Sequence, residues 1–199
     1  MLASGRVYEQ LRTALDETAA FPPSPSTCVC PTGEQADSLA TCLRERVSAL
    51  ASIGCGEGAM EAMLEARGIT VHAVDVDVLT DTSKYATMRC FCSRIHRVRP
   101  DALYLLPEPA TTALGFFWGR ALPWRAYLLQ YPQVPVVCIA GEPAGEDAAD
   151  CATEPRAGAL DQTDGWRRVM YAPIRAARGG AMLSVYERVS VGVQVQSGH

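Results

Sequence analysis

Lysine is almost absent from this chain: Lys84 is the single one among 18 basic residues, and the others are all arginine. Nor is there a surplus of positive charge. The formal net charge is −4 and the sequence pI about 5.4, which excludes global attraction to nucleic acid or anionic membrane and leaves only a local basic patch. Long hydrophobic runs are missing too. The longest clean one, Val134 to Ala140, is strand-sized and far short of the ~20 residues that cross a bilayer. The start, MLASGRVYEQLR, has no apolar stretch behind a basic residue, so no secretory signal is read. Zinc-type cysteine spacing is also lacking. The eight Cys include two C-x-C pairs, Cys28/Cys30 and Cys90/Cys92, a spacing that merely puts two side chains on one face of a strand. No metal is expected, and several Cys inside apolar runs suit reduced, buried thiols in a cytoplasmic protein.

What is present describes a globular chain. Hydrophobic residues make up 48% and charged residues 20% of 199, enough for one domain with a real core. Val7 to Ala20 reads as a helix, with Val7, Leu11 and Leu15 on one face. A Pro- and Ser-rich loop follows, then a second helix over Glu34 to Arg46. These helices form an N-terminal extension, 1–46, to a core running over 47–199. No internal repeat and no dividing linker is seen.

From Val47 the pattern changes. VSALASI is an apolar strand ending in Gly54-Cys55-Gly56-Glu57-Gly58; AMEAMLEAR is a helix closed by Gly68; ITVHAVDVDV is the next strand. Strand, glycine turn, helix and strand make one βαβ unit. Further strands are expected over Met88 to Cys92, Asp101 to Leu106 and Val134 to Ala140. Helices are expected over 80–88, Ala113 to Gly119 and Trp124 to Tyr131. A closing hairpin is expected from Gly165 to Ile174 and Met182 to Val195, whose valines at 189, 191, 193 and 195 alternate strictly. This is an α/β pattern: a mostly parallel sheet with an antiparallel edge.

The glycine loop carries the chemistry. Without side chains the backbone turns tightly and a ligand can lie against it, and the N–H groups opening the next helix point to the same place. Asp75 ends the following strand, 21 residues after Gly54, where a carboxylate accepts hydrogen bonds from both hydroxyls of a ribose. Asp77 reads as a bystander. The bland alternative is a tight structural turn beside a surface carboxylate.

With Ile53-Gly54-Cys55-Gly56-Glu57-Gly58 and Val74-Asp75-Val76-Asp77 the chain resembles the class I S-adenosylmethionine-dependent methyltransferases. The resemblance runs from about Val47 to Val195, and its specific content lies between Val47 and Asp77. It implies a Rossmann-like three-layer sandwich, seven-stranded, with a C-terminal antiparallel hairpin. It also implies S-adenosylmethionine as cofactor, held by Ser52, Gly54, Cys55, Gly56, Glu57, Gly58, Asp75, Val76 and Leu106. Two positions depart from the family. Ser52 stands where an acid usually helps hold the methionine amine, with Glu57 as the nearby acid to take over. No acid stands between Thr82 and Pro100 to bind the adenine amine.

The acceptor side is poorly marked, because alignment and desolvation do much of the work of methyl transfer. Leu106-Pro107-Glu108-Pro109 is not the Asn/Asp-Pro-Pro-aromatic motif of enzymes that methylate base amino groups. Candidates at the carboxyl ends of strands four and five are Glu108 and Glu142, to accept a proton or orient an acceptor, and Trp118 and Trp124 as substrate contacts. Plain core packing competes for both tryptophans, and strand termination for both acids. Arg89, Arg94, Arg97 and Arg99 form an acid-free basic segment that suits phosphates of RNA, with a solvated face as the alternative. RNA or protein therefore stands slightly ahead of a small molecule as acceptor. Two other functions stay open: a non-catalytic binding protein on the same fold, and an NAD(P)-binding oxidoreductase, since Gly54-x-Gly56-x-x-Ala59 also fits a dinucleotide loop.

Overall fold

The computed structural model describes residues 29, 31–76, 91–119, 122–143, 153–175 and 180–189. In chain order these form α1 (Gly33–Arg44), β1 (Ala49–Ile53), α2 (Ala59–Glu65), β2 (Thr70–Val76), β3 (Ile95–Val98), a 3-10 turn (Pro109–Thr111), β4 (Thr112–Phe117), α3 (Trp124–Gln130), β5 (Val136–Gly141), β6 (Trp166–Ile174) and β7 (Ala181–Arg188). Outside them lie the expected helices over 7–20 and 80–88, Asp77, Arg89, four of the cysteines and the valines beyond Val189.

The seven strands make one sheet in the order β3-β2-β1-β4-β5-β7-β6. β1 pairs parallel with both β2 and β4, and β5 extends the parallel set. β7 enters antiparallel between β5 and β6. β1, β4 and β5 are buried along their whole length, as central parallel strands covered on both faces must be.

Alternate side chains feed two cores. Leu50, Ala113 and Cys138 pack with Leu39 and Leu43 of α1 and Met60 and Leu64 of α2. Ala51, Leu114 and Ile139 pack on the other face with Trp124 and Tyr127 of α3. Each fully buried Leu or Ile adds about 1.5–3 kcal/mol. The start of α1 is set by a capping box. Thr32 Oγ1 accepts from the Gln35 N–H at 3.2 Å, and Gln35 Oε1 accepts from the Thr32 N–H at 2.9 Å.

Two strands lie elsewhere than the sequence pattern suggests. The third described strand is Ile95–Val98; of the expected run Met88 to Cys92 only 91–92 lies among the described residues, and those two are no strand. The fourth is Thr112–Phe117, where a helix is expected, while 102–106 is no strand. After Thr112 the run ALGFF has no polar side chain because both its faces are buried, so it shows no period of two. The run 102–106 is instead an extended crossover from β3 back to β4. Two tyrosines at the end of α3 hold it. Tyr127 Oη accepts from the Tyr104 N–H at 2.8 Å. Tyr131 Oη accepts from the Leu106 N–H at 3.3 Å and donates to the Tyr104 carbonyl at 2.9 Å.

Candidate functional site

The chain leaves β1 toward β2 on one side, and returns past it to β4 on the other. That reversal is the topological switch point of the sheet, where open α/β folds form a crevice at the carboxyl ends of the strands. Gly54 follows β1 there and Trp118-Gly119 follows β4.

The loop after β1 folds over the end of β2. The N–H groups of Gly54 and Cys55 both donate to the Val74 carbonyl, at 2.8 and 3.0 Å, and Gly58 N–H closes the turn on the Cys55 carbonyl at 2.9 Å. Gly54, Gly56 and Gly58 have φ of 75°, 57° and 76°, left-handed values that cost an L-residue about 1–2 kcal/mol each. Protein neighbours also demand two of the three. A Cβ on Gly54 would stand 2.6 Å from a methyl of Leu122, and one on Gly58 would stand 2.5 Å from Cys92 Sγ. Leu122 also leans on Gly119, at 1.9 Å from its Cβ position. Its side chain is thus wedged between the two glycines that end β1 and β4.

Asp75 meets this loop. Its Oδ2 accepts from the Gly56 N–H at 3.0 Å and its Oδ1 from the Val76 N–H at 2.8 Å. The Arg97 guanidinium stands 3.8 Å away and also donates to the Val76 carbonyl. Burial pushes the Asp75 carboxyl up, against the opposing pull of both N–H groups and of Arg97. A carboxylate has roughly four lone-pair sites, so two hydroxyls of a ribose can still be accepted.

Beneath the loop lies an acid that the sequence pattern does not single out. Glu61, in the first turn of α2, is 1% exposed, and its carboxylate accepts from the Ser52 hydroxyl. Burial raises it to about pH 7 against these hydrogen bonds, and Asp75 and Glu65 add to the rise. The available signal is Ser52 itself: a hydroxyl at the strand end, with an acid nine residues on in an otherwise apolar stretch of helix. Cys55 beside it is a partly buried thiol whose pKa is raised by burial first and by Glu61 next, which makes it a poor nucleophile. Glu57 is buried and its carbonyl accepts from the Phe91 N–H at 2.8 Å.

The remaining candidates separate into two ends of the sheet. Trp118 and Glu142 share the edge with the glycine loop, following β4 and β5. Trp118 is buried with φ 59°, an uncommon conformation for a bulky residue, pinned by its N–H on the Ala140 carbonyl at 2.7 Å. Glu142 is anchored through its backbone, N–H to Thr153 Oγ1 and carbonyl to Ala157 N–H. Leu106 and Glu108 precede β4 rather than follow it. Ser48, just before β1, donates to the Thr111 carbonyl, so Glu108 lies at the amino edge, about 17 Å from the loop for a five-residue strand. Trp124 is spent on structure: its indole N–H donates to Glu154 at 2.8 Å and Arg125 covers its ring at 4.3 Å. Of the basic segment, Arg97 faces Asp75 and Arg99 is bonded to Asp101. Among the described residues no group of three or more His, Cys, Asp and Glu could hold a metal, and no helix is long and apolar enough to cross a membrane.

Strand order, glycine loop and the acid near the end of β2 define a Rossmann-like sheet, mostly parallel and closed by an antiparallel C-terminal hairpin. No protein-family model matches the chain, and no curated protein matches it. Solved structures do resemble it in fold. An uncharacterized protein from Listeria monocytogenes serotype 4b is 12% identical, with a TM-score of 0.52 over 79% of this chain and 68% of that one. A Pyrococcus horikoshii protein provisionally named an RNA methyltransferase is 14% identical, covering 93% and 98%, with a TM-score of 0.45. The magnesium protoporphyrin IX methyltransferase of Synechocystis PCC 6803, solved with bound SAH (S-adenosylhomocysteine), is 9% identical over 78% and 83%, with a TM-score of 0.46.

Proposed function

We propose that the chain binds S-adenosylmethionine in the crevice between β1 and β4 and passes its methyl group to an acceptor. The observation that carries this is the meeting of the glycine loop and Asp75 at the switch point, with Gly56 N–H on the Asp75 carboxylate. Asp75 would take the ribose hydroxyls; Gly54, Cys55, Gly56 and Gly58 would let the backbone lie against the amino-acid part. The bound sulfonium supplies an activated methyl group with a good leaving group. The chain's work is then to orient and to exclude water, and Glu142, which follows β5 on the same edge, would orient the acceptor. The dinucleotide alternative is disfavoured by topology. That fold runs its strands 3-2-1-4-5-6 in parallel, whereas β7 here enters antiparallel beside β5. For the acceptor, RNA or protein stands ahead of a small metabolite, on the strength of the exposed Arg94, Arg97 and Arg99 around the edge strand β3, of which the last two would exchange Asp75 and Asp101 for phosphate. Labelled methyl transfer to total RNA, protein extract and a metabolite pool tests this; incorporation into metabolites alone would reverse it.

One observation favours a second reading, a binding protein that keeps the fold without the cofactor: Leu122 occupies the space between Gly54 and Gly119. Thermal melting with S-adenosylmethionine separates the two. Ligand at 100 times Kd adds about 2.7 kcal/mol, a rise of roughly 5–10 °C for a chain of this size. No shift at millimolar ligand supports the binding protein.

A further inference from the structure

Among the described residues Glu61 is the fully enclosed acid beneath the loop, and no cation beside it explains it. From β1 it receives the Ser52 hydroxyl. From the loop it faces the Cys55 thiol. From β2 comes Asp75, and from its own helix Glu65, both acids that oppose its ionisation. Arg97 stands 3.8 Å from Asp75. Among the described residues no arginine or lysine pairs with Glu61. A buried carboxylate without a counter-charge is costly, so the group holds its proton until near neutrality. Ser52 and Gly54 are separated only by Ile53, so this poised acid lies directly under the first turn of the loop.

We propose that Glu61 is the counter-charge for a cationic ligand group at the glycine loop: an ammonium seated against Gly54–Gly58 draws Glu61 into its ionised form, and the released proton leaves to solvent. The inference rests on the cofactor reading above and adds to it which residue of this chain answers the ligand's positive charge, and at what cost in protons. No covalent bond changes; one O–H ionises and the buffer takes the proton. The sign follows from linkage. Below neutrality the free protein carries protonated Glu61, so binding must expel a proton and affinity falls by up to about tenfold per pH unit. Above neutrality Glu61 is already ionised and affinity levels off.

The experiment is calorimetry from pH 5.5 to 8.5 in buffers of differing ionisation enthalpy, on the full chain. The probes are S-adenosylhomocysteine, which carries the ammonium, and 5′-methylthioadenosine, which has the same ribose and thioether without it. S-adenosylhomocysteine should bind about five- to sixfold tighter at pH 7 than at pH 6, releasing close to one proton at pH 6. Methylthioadenosine should show neither effect. Glu61→Gln should bind S-adenosylhomocysteine with a flat profile and no proton release. Ser52→Ala, which removes the hydrogen bond that favours the ionised form, should move the midpoint of the wild-type profile upward, and it gives a readout if the Gln variant does not fold. A flat wild-type profile, or a slope that persists in Glu61→Gln or appears equally with methylthioadenosine, overturns the proposal; the last of these would assign the slope to Asp75. Absence of any binding at every pH overturns the cofactor reading itself.

Discussion

Gly54 shows how a residue can be required twice. Its φ of 75° lies in the left-handed region, and the place of its missing side chain is taken by Leu122. Gly54→Ala should cost about 1–2 kcal/mol from the dihedral alone, plus the clash. Urea unfolding of Gly54→Ala and of Gly54→Ala with Leu122→Ala separates the two parts: the second change should recover the clash and leave the dihedral cost. Equal stability of the two variants would mean that Leu122 does not press on Gly54. At Glu61 the folded carboxyl is raised to about 7 above an unfolded value of ~4.3. The folded state therefore holds the extra proton. Stability from this group is fully present below the unfolded value and is lost as pH rises through 7. Glu61→Gln should remove that decline, so that its unfolding free energy relative to wild type rises between pH 5 and 8; a constant difference would show that Glu61 is not the titrating group. Gly54, Gly58 and Asp75 were legible in the sequence because special backbone and strand-end chemistry leave a local mark. Glu61 was not, since an acid in a short helix looks the same in sequence whether it faces water or a serine.

Elements follow the same division. The βαβ unit over β1, α2 and β2 is readable because apolar strand, glycine turn, helix and strand follow one another without interruption. β4 is not. TALGFF is buried on both faces, and a uniformly apolar run does not distinguish a strand from a core helix. The segment 102–106 deceives in the other direction. It is apolar and extended, but its polar groups pair with Tyr127 and Tyr131 instead of with a strand. That exchange moved Glu108 and Leu106 from the expected carboxyl edge to the amino edge. Tyr131→Phe should strand the Leu106 N–H and the Tyr104 carbonyl, costing about 1–3 kcal/mol, with amide exchange accelerated at 104–106 first. Unchanged exchange there would show that the crossover is held by packing alone. The turn after β4 invites a different test. If the crevice takes the cofactor, Leu122 must move aside, so Leu122→Ala should tighten binding of S-adenosylhomocysteine. Weaker binding would make Leu122 a ligand contact rather than an obstacle.

For the whole molecule, the order β3-β2-β1-β4-β5-β7-β6 puts the ends of β1, β2, β4 and β5 along one edge. It thereby gathers the glycine loop, Asp75, Trp118 and Glu142, residues spread over nearly ninety positions of sequence. The α/β class and the closing hairpin were legible from alternation and length. The grouping was not, because it depends on which strand is β4. The proposed function turns on whether this edge binds S-adenosylmethionine through Asp75. Calorimetry of S-adenosylhomocysteine and of NAD(H), on the wild type and on Asp75→Ala verified as folded by melting, tests it most directly. Hydrogen bonds to a charged group contribute about 1.5–3 kcal/mol, so S-adenosylhomocysteine should bind the wild type and lose at least about tenfold in the variant, with no heat from NAD(H). Binding of NAD(H) alone, or equal binding of S-adenosylhomocysteine by both proteins, would contradict it.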